Sequence, residues 1–159
     1  MSDDNIKNVL ASKDYEVNVI TSVDGDRING QIATWVTQVS MEPALMAVCL
    51  APTRYTAELI SNSGVLAVNI LSREQIDLVP HFGYQSGRDV EKFAEVPYRR
   101  GETGCPIIEG VSAYLECRVR ETFPGGDRTI YLSEVTAAAI ERGGDRINYQ
   151  WLLAQSQAT

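Results

Sequence analysis

The loop Pro52-Thr53-Arg54-Tyr55-Thr56 combines residue types and spacing that suit anion binding. It leaves an apolar run and opens a short helical pattern, so free backbone N–H groups and the positive end of a helix dipole converge there. Arg54 adds a planar fork of donors matched to phosphate, and Thr53 and Thr56 add hydroxyls. An ordinary capped helix with a solvated arginine is the competing reading. A second stretch, NGQIATWVTQVS from Asn29 to Ser40, carries strand-forming Ile32, Trp35, Val36, Thr37 and Val39. Gln31, Thr34, Thr37 and Gln38 interrupt its apolar run. A strand opened by Gly30 and studded with small donors and acceptors suits a flat polar ligand laid against its backbone. A half-buried strand with hydroxyls in water is the plain alternative.

The remaining reactive residues point away from chemistry carried by side chains. His81 is the only histidine and has no Ser, Cys or second His in a recognisable pattern, so a surface or helix C-terminal role is expected. Cys49, Cys105 and Cys117 are odd in number and lack CxxC spacing, which indicates neither a disulfide framework nor a zinc site. Cys49 and Cys117 lie in apolar strand patterns and read as core fillers in a reducing cytoplasm. No carboxylate couple, metal motif or nucleoside-triphosphate motif stands out. Chemistry here would belong to a bound organic cofactor.

The elements that must position these residues are mostly strands. A helical turn or two around Asn5–Ser12 precedes a strand at Glu16–Ser22, and Asp24-Gly25 signals a hairpin into Asn29–Ser40. Ser40 to Pro43 turns the chain into Ala44–Leu50, a continuous apolar run that predicts a strand buried on both faces. A short helix through Glu58, Leu59 and Ile60 follows, capped by Thr53 or Thr56 and stopped by Gly64. Val65–Leu71 reads as another buried strand. Ser72 and Gln75 form a capping box for a helix through Ile76, Leu78 and Val79 that ends near Gly83. From Tyr84 to Cys105 the pattern weakens, with one helical turn expected over Arg88–Phe93. Val111–Phe123 alternates, placing Ala113, Leu115, Cys117 and Val119 on one face and Tyr114, Glu116, Arg118 and Arg120 on the other. Pro124 to Asp127 makes a hairpin into Thr129–Ile140, and Gly143-Gly144-Asp145 turns into a last strand at Ile147–Trp151, before a polar, frayed AQSQAT tail. About seven strands with two inserted helices predict a single domain, mainly β, built as a closed or nearly closed antiparallel barrel with peripheral helices.

Composition sets the outer bounds. The chain has 159 residues, 44% hydrophobic and 22% charged, enough for one sizeable core. A net charge of −7 argues against a broad nucleic-acid or anionic-membrane surface, while one local basic pocket would still take an anionic small molecule. The start, MSDDNIKNVLASKDY, has neither the basic nor the apolar segment of a signal peptide, and no run approaches a membrane span.

Taken in order, GQIATWVTQVS, ALMAVCLAPTRYTAELI, GVLAVNILS, HFGYQSGRDVEKF, GCPIIEGVSAYLECRV and GGDRTIYLSEV resemble the flavin reductase-like family with the FMN-binding split-barrel fold, across roughly residues 15–150. That resemblance implies FMN held at the interface of a homodimer, with the short phosphate loop favouring the mononucleotide over FAD. It places Gln31, Ile32, Ala33, Thr34 and Trp35 along the isoalloxazine ring, and Ala51, Thr53, Arg54, Tyr55 and Thr56 at the ribityl chain and phosphate. Phe82, Ser86, Arg88 and Lys92 would close over the cofactor, with Lys92 supplying a positive charge that favours the reduced flavin. Arg128 stands where nicotinamide-using relatives often have His, and Trp35 where many have Ser. SGRDVEKF resembles the flavoredoxin-like members and modules attached to rubredoxin.

The resulting expectation is a redox flavoprotein that moves electrons from NADH, NADPH or a protein donor through FMN to an acceptor. Arg128 would touch a nicotinamide phosphate or an acidic redox protein partner. A non-catalytic flavin- or haem-binding split-barrel module is the alternative, and a barrel without cofactor the plainest one.

Overall fold

Thr34 and Trp35 divide the long polar stretch, and that division makes the fold. The computed structural model describes residues 3–158. Strand β1 (Asn18–Asp24) turns through Gly25-Asp26 into β2 (Arg27–Ala33), pairing Asp24 with Arg27 and Asn18 with Ala33. The ladder stops at Thr34-Trp35 and the chain resumes as β3 (Val36–Ser40), which pairs with β4 (Leu45–Leu50) instead. The single strand expected over Asn29–Ser40 is therefore two strands with different partners. β-Propensity is uniform along it, so composition could not mark the break.

Seven strands form one antiparallel sheet in the order β2-β1-β5-β8-β9-β4-β3, with β5 at Val65–Ile70, β8 at Ala113–Gly125 and β9 at Arg128–Ile140. Its two edges, β2 and β3, are joined by only two residues. The sheet must therefore roll round on itself, giving a barrel split between those edges, as expected. A separate small ladder joins β6 (Tyr98–Arg100) to β7 (Pro106–Ile108).

Four α-helices sit outside the sheet: α1 (Asp3–Ala11), α2 (Tyr55–Ser63), α3 (Leu78–Gly83) and α4 (Tyr149–Gln157). Helix α2 ends at Gly64, whose φ of 72° is the left-handed conformation and whose N–H donates to the Ile60 carbonyl at 2.8 Å. Its N-cap is Arg54, with no side-chain cap, so neither Thr53 nor Thr56 plays that part. The Gln75 side chain does accept from the Ser72 N–H at 3.3 Å, but the box opens only a 3-10 turn at Arg73–Gln75, and α3 starts afresh after Asp77. Arg88–Phe93 makes turns rather than a helix, although the Val90 N–H closes one turn onto the Ser86 carbonyl at 3.2 Å.

The strand expected at Ile147–Trp151 is absent. Two isolated bridges, Glu16 with Asn148 and Ser72 with Arg146, lead into α4. Ile147 wedges between the segments that extend β1 and β5, accepting from the Val17 N–H at 2.8 Å and donating to the Leu71 carbonyl at 3.2 Å. From Asn18 and Ile70 onward those two strands pair with each other and leave it no room to continue. Most of the tail belongs to that helix, while Thr159, like Met1 and Ser2, lies outside the described residues.

Two large cores share the sheet, and a smaller third cluster joins Val65 and Ala67 of β5 to Cys105 and Ile107. Ile20, Val48, Leu50, Ile60, Leu66, Val68, Cys117 and Tyr131 fill the barrel, while Val17, Val19, Leu71, Phe82, Phe93, Val96, Ile108, Val111 and Ile147 pack beneath the outer segments. Adjacent Val19 and Ile20 serve opposite cores, and β5 is buried at every position, as its apolar run predicts. The β4 run is only half-buried at Leu45, Met46, Ala47 and Cys49, and of these Cys49 faces a cleft. Glu116, expected on the outer face of β8, is buried. A bulge at Glu116-Cys117 shifts the register, and its carboxylate accepts from the N–H groups of Glu102 at 3.0 Å and Thr103 at 2.8 Å. Among the described residues no helix is long and apolar enough to cross a membrane.

Candidate functional site

The split between β2 and β3 opens into a cleft of about 460 Å³. One wall is the end of β2 and the break after it: Gln31, Ile32, Ala33, Thr34 and Trp35. Cys49 and Leu50 of β4 form the floor with Ala51, Thr53, Arg54 and Tyr55, while Val79 and Phe82 of α3, Ser86, Arg88 and Lys92 close the far side. Arg128 enters from the start of β9, and Val17, Tyr149 and Leu152 complete the rim. Of the site residues expected from sequence, all but Thr56 line this one cleft.

Thr56 faces away. It is fully buried, and its hydroxyl accepts from the Asn29 side-chain amide at 2.9 Å. That bond ties β2 to the first turn of α2. Gly87 packs so closely on the same Asn29 that a Cβ there would overlap it. Asn29, itself a lining residue, thus fixes the loop at Arg54 and the segment at Ser86 to one strand.

Four cations reach the cleft, Arg54, Arg88, Lys92 and Arg128, and among the described residues no carboxylate lines it. In a chain of net charge −7 this is a local inversion of sign. Arg88 is held by Glu58 at 2.6 Å, by the Thr53 carbonyl at 3.4 Å, and over the Tyr55 ring at 5.0 Å. Arg128 pairs with Asp127 at 3.0 Å and lies 5.2 Å from the Trp35 ring centroid. Arg54 sits in extended conformation ahead of α2, where the first-turn N–H groups have no intrahelical acceptors. Lys92 is 4% exposed, and its Nζ donates to the carbonyls of Gly30 and Phe82 at 2.9 Å each. Burial, aided by the charge of Arg54, pushes the Lys92 ammonium down to about 8.

His81 holds this arrangement from behind. Its Nε2–H donates to the Lys92 carbonyl at 2.7 Å, and its ring lies edge-on to Phe82 at 5.0 Å. It occupies the last turn of α3, the helix C-terminal role its isolation suggested. Phe82 in turn packs on Gly30, where a Cβ would lie 3.1 Å from the ring.

Gln31 Oε1 is buried without a partner. A buried acceptor left open in a cleft wall fits a ligand N–H, such as a flavin's pyrimidine edge. Together with the wall at residues 31–35 and the cations Arg54, Arg88 and Lys92, this matches a heterocycle bearing an anionic tail. The donor set and the cleft size thus fit FMN.

Sequence reasoning missed Asn29, Cys49, Tyr84, Gln85, Tyr149 and Leu152. Cys49 is no plain core filler: it lines the cleft, its N–H donates to the Trp35 carbonyl at 3.0 Å, and burial raises its thiol while Arg128 opposes that rise. Tyr149 and Leu152 carry an i, i+3 helical signal that reading a strand there obscured. Among the described residues no group of three or more His, Cys, Asp and Glu is placed to hold a metal.

The family model described as "Flavin reductase like domain" matches residues 12–153. A high molecular weight rubredoxin of Moorella thermoacetica is 34% identical over 139 residues, covering 86% of this chain and 61% of that protein. The chain spans less than two thirds of the length of the first curated relatives it matches. An FMN-binding protein from Thermus thermophilus superposes with a TM-score of 0.78 at 31% identity, covering 82% of this chain and 74% of that one. An NADH:FAD oxidoreductase of Streptomyces globisporus gives 0.84 at 28% identity, covering 93% and 90%.

Proposed function

The chain belongs to the flavin reductase-like domain family, and on that premise we propose that it binds FMN in the β2–β3 cleft and passes electrons through it. One observation carries the reading: residues 31–35, with an open buried acceptor on Gln31, share one cleft with four cations and, among the described residues, no carboxylate. FMN, when bound, supplies reversible electron transfer that no side chain here provides. The protein's own part is placement. Residues 31–35 give the ring its wall, Phe82 and Leu50 exclude water, and Gln31 offers an acceptor. Thr53, Arg54 and Ser86 take the phosphate end. Lys92 brings a positive charge into a low-dielectric site, where it favours added negative charge.

The electron donor is NADH, NADPH or a reduced redox protein, received at the rim formed by Trp35 and Arg128. A homodimer is part of this reading, because exposed Val39 and Met41 flank an unpaired β3 edge that a second copy would cover.

The test is the visible spectrum of purified protein loaded with FMN, followed anaerobically after NADH, then NADPH, then dithionite. Prompt bleaching by one nucleotide identifies a reductase and its donor. Bleaching by dithionite alone identifies a carrier fed by another protein. If no flavin binds even after incubation with FMN, the reading fails.

A further inference from the structure

Lys92 presents a buried charge that the fold does not neutralise. Its Nζ has three donors, of which two meet the neutral carbonyls of Gly30 and Phe82. Among the described residues, no carboxylate lies within ion-pair distance of it. Burying an ammonium without a counter-charge is costly. The surrounding charges do not relieve that cost. Arg54, at the start of α2, is a second cation acting on it. Arg88 is engaged by Glu58, and Arg27 of β2 by Asp24 and Glu58. His81 of α3 meets the Lys92 carbonyl, not its amine. Asp26, Glu91 and Arg100 border a second cavity, whose lining shares Tyr55 and Lys92 with the cleft, and none of the three pairs with the amine.

We propose that Lys92 is the counter-charge of the anion this cleft receives, and that anion binding is coupled to uptake of a proton by its amine. The inference rests on the FMN reading. The coupled step is Lys–NH₂ plus a proton from solvent giving Lys–NH₃⁺, with no covalent bond to the ligand. The third N–H then has an acceptor. The negative charge is the phosphate of FMN, because the oxidised ring is uncharged at these pH values.

Linkage fixes the size of the effect. With the free amine at about 8, FMN binding at pH 9 takes up about 0.9 proton, falling toward zero by pH 7. Affinity correspondingly weakens by about tenfold per pH unit above pH 8. FMN calorimetry in buffers of different ionisation enthalpy measures both. Lys92→Met abolishes the uptake and flattens the affinity profile. Lys92→Arg keeps the charge but abolishes the uptake. Should both variants misfold, the chain has only three lysines, Lys7, Lys13 and Lys92, so NMR of the side-chain resonances reads the native protein directly. One lysine then titrates near pH 8 without ligand and moves upward with FMN. Riboflavin tests the source: uptake with FMN and not with riboflavin assigns the phosphate as the anion, and equal uptake with uncharged riboflavin overturns the counter-charge role of Lys92. FMN binding at pH 9 with no uptake, or with uptake unchanged in Lys92→Met, overturns the proposal alone. Failure of FMN to bind at any pH overturns it together with the reading beneath it.

Discussion

The Arg128 guanidinium lies 5.2 Å from the Trp35 ring centroid, so the start of β9 closes over the break between β2 and β3. The two residues are ninety-three positions apart, yet they form one rim of the cleft. Trp35 is 47% exposed, which makes its outer face available to whatever approaches.

Arg128→Ala should therefore slow reduction of the bound flavin by its donor about tenfold, a loss of about 1.4 kcal/mol, while FMN affinity changes little. Stopped-flow bleaching with each donor measures the rate. Trp35 emission should shift as its cationic neighbour is lost. Unchanged kinetics and emission together would remove Arg128 from the donor site.

The three thiols should divide by location. Burial pushes Cys105 up to about 11 and Cys117 up to about 12, and both are buried. Neither should react with a disulfide reagent in the native protein at pH 8. Cys49 lines the cleft and is only partly buried, so it alone should react, more slowly when FMN is present. Equal labelling with and without FMN would place the ligand elsewhere.

Gly87→Ala should weaken FMN binding by about tenfold or more, with a stability cost of about 1–3 kcal/mol from overpacking. The added methyl must displace Asn29, which holds Thr56 and so the phosphate loop. Fluorescence titration with FMN and urea unfolding separate the two effects. A variant with wild-type affinity would show that Asn29 does not set the loop.

Lys92 also gives the ligand-free protein a distinctive pH response. Its folded-state value, about 8, lies below the unfolded 10.5, so between these limits the unfolded chain binds more protons. Stability then rises with pH across that window, and the cost of the buried charge is greatest below pH 8. Above about pH 9 the raised cysteines work in the opposite direction, because their folded forms hold protons that the unfolded chain releases. The useful quantity is therefore the Tm of wild type minus that of Lys92→Met, which should increase from pH 8 to 10. A flat difference would show that the amine is not desolvated.

Much of this was legible in the chain itself. Apolar runs dictated β5, alternation dictated β8, and Gly64 fixed the end of α2, because local propensity and burial pattern agree at these places. The residues at Gln31–Trp35, Arg54, Arg88, Lys92 and Arg128 were nameable because their order along the chain resembles a known pattern. Tertiary structure alone decided that Asn29–Ser40 is two strands, since the break depends on which partner each half meets. It also decided that Glu116 turns inward to hold the Glu102-Thr103 backbone, that Thr56 turns from the cleft to Asn29, and that the last segment is a helix. Local sequence encodes propensity and periodicity. The ladder partners, the closing of the sheet and the charge balance of the cleft arise from contacts between segments far apart in the chain, and only the folded structure specifies them.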